Sequence, residues 1–151
     1  MWYLLLKLVH VIAAIVAVGA NVTYGIWILA ASREGTSLPF VLRIIKRIDD
    51  RLANPAYGLL LVTGAAMVVV GGVSLASSWL VVAFALYVAL VFVGLLGYTP
   101  TLKAQILLLE RGGPKSPEYL REARRGQRLG AITGVIVVLI LILMVLKPVL
   151  W

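Results

Sequence analysis

The chain of 151 residues has no cysteine. Disulfides, iron–sulfur clusters, thiolate zinc sites and covalent c-type haem attachment all need sulfur from the chain, so each is excluded. There is one histidine. With no cysteine beside it, zinc sites of ordinary spacing and the usual nucleophilic triads are also excluded. Only six residues are acidic, against fourteen lysines and arginines. All six lie in or next to the basic connecting segments, and none in the middle of an apolar run. That placement removes paired-carboxylate catalysis, di-metal sites and intramembrane carboxylate proton relays. No phosphate-cradling glycine loop or dinucleotide fingerprint occurs. Conventional enzymology is therefore not expected.

What the chain does have is apolar length. Hydrophobic residues make up 62% of it, where a soluble domain would be about half apolar. Four runs, about 2–31, 55–76, 79–98 and 129–149, are long enough to cross a bilayer, which needs roughly 20 apolar residues. Val18-Gly19-Ala20 resembles a signal-peptidase site, but the first run is too long for a signal peptide and is read as a retained span. Trp2, Tyr3, Trp79 and Trp151 sit at run ends, where amphipathic rings prefer the water–lipid boundary. The formal charge of +8 is carried between the runs, so it points to topology and anionic headgroups and not to nucleic acid. The first and third connections are rich in lysine and arginine, while Gly72 to Ser78 has neither. The positive-inside rule predicts basic loops in the cytoplasm and both termini outside, in a bacterial-type inner membrane.

The expected fold is an all-α, single-domain, four-transmembrane-helix bundle. In the first connection Val41, Ile44, Ile45, Ile48 and Leu52 share one helical face, with Ser37 as cap and Pro39 in the first turn. This helix, about 38–53, is expected to lie in the cytoplasmic interface. Asn54-Pro55 then caps and starts the second span. The third span is expected to run past Pro100 to Glu110 and stop at Gly112-Gly113, and Ser116-Pro117-Glu118 to restart a helix that enters the fourth span. The result is a charged cytoplasmic hairpin. Gly126, Gly130 and Gly134 recur on one helix face, which suits close packing first and a homodimer contact second.

An ionisable residue inside a span is expensive and marks a functional candidate. His10 lies about 10–12 Å below the outer end of its helix. By residue count Met67, Tyr87 and the stretch Leu141 to Met144 reach a similar depth on the other spans, and imidazole with thioether is an axial pair for haem iron. Lys7, one turn above His10, and Lys147 are the only basic residues on the outer side and are suited to haem propionates. Each has a plainer reading. His10 can simply hydrogen-bond a neighbouring helix, Met67 and Met144 can fill gaps, Tyr87 can pack, and the lysines can snorkel to headgroups. Asn21 faces inward with Ala14, Ala17 and Gly25 and reads as interhelical hydrogen-bond glue.

Leu6-Lys7-x-x-His10-Val11-Ile12-Ala13 resembles the first-helix motif shared by HemJ-type protoporphyrinogen oxidases, the CopD copper-resistance membrane domain and a bacterial family of small integral membrane proteins without assigned function. Asn54-Pro55-Ala56 with Val62-Thr63-Gly64 is similar to the start of their second helix. Ser116-Pro117-Glu118-Tyr119 and Met144-Val145-Leu146-Lys147-Pro148 look most like the third of these families. The resemblance implies a four-helix bundle, haem b, and His10 as ligand with Lys7 and Lys147 as companions. It departs in the third helix, where Leu80 to Leu96 offers only Tyr87 as a polar residue.

The leading expectation is a haem-b protein in a redox or electron-transfer role. The alternative is a membrane scaffold or accessory subunit of a larger complex. HemJ-like oxidation, CopD-like copper handling through His10 and methionine, and a small transporter follow behind.

Overall fold

The computed structural model describes residues 1–34 and 38–151, so the expected Ser37 cap lies outside the described residues. Among the described residues every regular element is a helix. Helix α1 covers Trp2–Glu34, α2 Leu38–Ile48, α3 Asn54–Gly71, α4 Ser78–Phe92, α5 Thr99–Gly112 and α6 Pro117–Leu146. A π-helical turn, Asp49–Ala53, joins α2 to α3, and a second, Val93–Tyr98, joins α4 to α5. The helical runs Trp2–Arg33, Leu38–Gly71, Ser78–Gly112 and Pro117–Leu146 are each long and apolar enough to span a membrane.

Both π turns have the same local cause. Pro55 and Pro100 follow them at the second position of α3 and α5. Inside an α-helix a proline ring presses on the carbonyl four residues back and leaves it without a donor. A π turn inserts one extra residue and widens the helix at that place. Here Asn54 N–H donates to Asp49 O and Thr99 N–H to Gly94 O, both five residues back. Asn54 therefore does not cap a new helix, as its sequence suggests; it lies inside a continuous one.

The helices form two antiparallel pairs, α1 with α3 and α4 with α6, which touch where α1 meets α6. Connected only by a short turn through Gly72, whose φ of 62° suits glycine, α3 and α4 stay apart: no Cα of one comes within 8 Å of the other. The large-residue core lies at the basic end of the bundle. There Tyr24 and Ala31 of α1, Leu38, Leu42 and Ile45 of α2, Leu102 and Leu109 of α5 and Tyr119 of α6 pack together. The opposite half is held by small buried residues, Ala13, Ala17 and Ala83, which let backbones approach where lipid supplies no hydrophobic drive. Large side chains there point outward, Val62 and Val69 among them, as expected of a surface that faces acyl chains.

Three expectations change. The apolar face of α2, read as resting on lipid, is covered by α1 and α5, with Leu42 fully buried. The face itself is rotated: Leu38, Leu42 and Ile45 are buried while Leu52 is half exposed, because the π turn shifts the register after Ile48. The glycine stripe also divides. Gly126 is buried so closely against Gln105 of α5 that a methyl group would collide with its amide, whereas Gly130 and Gly134 have no neighbour within 4 Å of where a Cβ would stand. Within the chain, close packing thus applies to Gly126 among the three. At the far end α6 stops at Leu146, with Lys147 left-handed at φ 45°, and the tail returns to α4, where Leu150 N–H donates to Ser78 Oγ at 2.9 Å. In the hairpin, Ser116 Oγ accepts from Tyr119 N–H and Glu118 lies in the first turn, so α6 begins with a side-chain cap and a favourably placed charge.

Candidate functional site

His10 faces α3. Its Nδ1 lies 2.8 Å from Thr63 Oγ1, and Gly64 makes room for the ring, with the Cβ position 3.4 Å from His10 Cε1. The proton can be assigned from the network. Thr63 has one hydroxyl hydrogen, and its Oγ1 is 2.7 Å from Leu59 O, the carbonyl one turn back. With that hydrogen committed, Oγ1 accepts, so Nδ1–H of His10 donates. The neutral ring then carries its lone pair on Nε2, and the Leu60 carbonyl also lies beside the ring. Metal-binding imidazoles are commonly oriented in this way, by a bond from the other ring nitrogen.

The expected companions of His10 differ in burial and contacts. Met67 is half-buried one turn beyond Thr63 on the same face of α3, and Met144 is half-buried near the end of α6. Lys7 is exposed. Lys147 lies with Nζ 5.4 Å from the centre of the Trp79 ring, a cation–π contact at the tail. Tyr87 is not at the level of His10. Its hydroxyl donates to Tyr57 O at 2.8 Å, and Tyr57 is about 9 Å along α3 from Thr63. No group of three or more His, Asp or Glu side chains poised for a metal ion exists among the described residues.

Tyr87 belongs to a second constellation, nearer the basic end. Asn21 of α1 donates through Nδ2 to Ala17 O at 2.9 Å and to Tyr57 OH at 3.0 Å. Asn21, Tyr57 and Tyr87 thereby link α1, α3 and α4. They line a cavity of about 420 Å³ that also takes in Asp49 and Tyr98, so both π turns contribute to its wall. Asp49 is 5% exposed and its nearest side-chain partner, Asn54 Nδ2, stands at a long 3.4 Å. Asp49 is thus buried in the helical run Leu38–Gly71, between the basic helix α2 and the apolar stretch of α3. A signal for it existed: the buried series Leu38, Leu42, Ile45 continues at helical spacing to Asp49 and Ala53.

No curated protein and no solved structure matches the chain. A family match covers residues 4–148. The chain belongs to the family described as predicted integral membrane protein (DUF2269).

Proposed function

We propose that this membrane protein binds haem b through His10 and serves a redox or electron-transfer role. The observation that carries the reading is the 2.8 Å contact of His10 Nδ1 with Thr63 Oγ1, a hydroxyl already bonded to Leu59 O: with Nδ1–H as donor, the contact fixes the ring and leaves the lone pair on Nε2. The first-helix likeness to HemJ-type proteins points the same way. The residues fit one axial nitrogen. Met67, Met144 or His10 of a second copy would be the candidates for a second ligand, and Lys7 is the basic residue nearest in sequence for a propionate. Bound there, haem iron would supply one-electron chemistry, with the protein setting its ligand and surroundings. Thr63 would hold the imidazole plane and Gly64 would admit the ring edge. Porphyrinogen oxidation is not part of the proposal, because between Leu80 and Leu96 only Tyr87 is polar, and Tyr87 is spent on Tyr57.

The scaffold reading draws on the same bond. His10 and Thr63 tie α1 to α3, and intramembrane hydrogen bonds of this kind contribute about 0.6 kcal/mol on average to helix association. An absorption spectrum of the detergent-purified protein, oxidised and dithionite-reduced, with and without added haem, separates the two. The haem reading expects a Soret band that is lost in His10→Ala while the variant remains folded. A protein that is colourless and refuses added haem contradicts it and leaves the scaffold. Retention of copper in place of haem would favour CopD-like handling.

A further inference from the structure

The geometry points to a second binding site: we propose that the groove between α3 and α4 takes a lipophilic organic cation. The proposal stands apart from the haem reading, since none of His10, Met67, Met144, Lys7 or Lys147 lines this cavity. Three observations carry it.

The first is the gap itself. With α3 and α4 apart along their lengths, the cavity is walled by both helices, and its outer rim carries Phe84, Val88 and Phe92, which are well exposed. A ligand already dissolved in the bilayer could therefore enter sideways. The second is charge. Asp49 is the single charged residue in the lining, and no lysine, arginine or histidine accompanies it. It makes no ion pair within 4 Å among the described residues, because Lys46, three residues back, is held by both carboxylate oxygens of Asp50. A carboxylate withdrawn from water calls for a positive partner or a proton; Lys46 acts on Asp49 from outside the lining, where Asp50 holds it, and the lining itself has no cation. The third is the character of the remaining polar groups. Both hydrogens of the Asn21 amide are spent on Ala17 and Tyr57, so its free atom is the acceptor Oδ1. Tyr57, Tyr87 and Tyr98 add aromatic rings, whose faces attract a desolvated cation. Acceptors, rings and one carboxylate select positive charge on an apolar body. The volume of about 420 Å³ is in the range of small-molecule sites.

The full-length protein in phosphatidylcholine nanodiscs, titrated with radiolabelled tetraphenylphosphonium, tests this. Tetraphenylborate, of the same shape and opposite charge, is the control. The expected result is one saturable phosphonium site and no saturable borate site. Asp49→Asn should weaken the site by about tenfold or more. Gly58→Leu should abolish it, because Gly58 lines the cavity and has open space where its Cβ would stand, so a larger side chain starts into the groove. Equal uptake of phosphonium and borate would make the groove a general slot for lipid and overturn the proposal. Absence of saturable binding, or undiminished binding in Asp49→Asn, would also overturn it. Should Asp49→Asn fail to fold, Gly58→Leu decides, and retained binding in it counts against the site.

Discussion

The two faces of α3 differ sharply. The face toward α1 is closed along its length: Tyr3 lies against Gly71, His10 against Thr63 and Gly64, and Asn21 against Tyr57. The face toward α4 is open and is crossed by the bond from Tyr87 to Tyr57 O. The tight seam uses small residues and paired polar groups, the means by which membrane helices associate without hydrophobic drive. The loose side keeps a buried carboxylate, aromatic rings and space. A single helix thus separates a place built for fixed geometry from one built for occupancy.

The contrast can be broken at the basic end, where the larger side chains pack. Leu42→Ala, at a fully buried position, should cost about 2–5 kcal/mol, whereas Leu61→Ala in the groove should stay within about 0.5 kcal/mol. Denaturant titration in detergent, followed by helical circular dichroism, compares the two, and similar losses would erase the distinction. A smaller effect is expected on the seam. Thr63→Val keeps the shape, removes the acceptor of His10 and should cost about 1 kcal/mol in the same titration. It should also release the ring orientation and so lower haem retention, read from the Soret amplitude. Tyr87→Phe removes the bond that crosses the gap and should cost only about 0.5 kcal/mol, since Tyr57 O is a helix carbonyl with its own backbone donor. Gly58→Ala is expected to stabilise by a few tenths of a kcal/mol. That is less than the roughly 1 kcal/mol of a water-exposed helix, because the unfolded chain in lipid remains largely helical. A loss of stability in Gly58→Ala would show that the groove is closed.

The spans were legible because lipid demands long apolar runs, and those runs are unbroken in the sequence. His10 stood out for the same reason, as an imidazole in such a run. Asp49 did not, since Lys46-Arg47-Ile48-Asp49-Asp50-Arg51 reads as a charged surface until one knows that the chain stays helical through Pro55. The π turn that makes this possible leaves no local signature beyond the proline, which equally announces a helix start. Tyr87 was placed at the depth of His10 by counting residues from the helix end. Counting gives distance along an axis and not which neighbour is opposite, and here the neighbour is Tyr57. Lys147 could not be seen to meet Trp79, because that contact depends on the left-handed residue ending α6.

The most direct test is of the imidazole proton. Since His10 is the only histidine, ¹⁵N-histidine labelling gives a single ring to observe by NMR in nanodiscs. The expected spectrum is that of a neutral ring protonated at Nδ1, with the unprotonated Nε2 resonance broadened or shifted when haem is added. A ring protonated at Nε2, unchanged by haem and by Thr63→Val, would contradict both the Thr63 contact and the role given to His10.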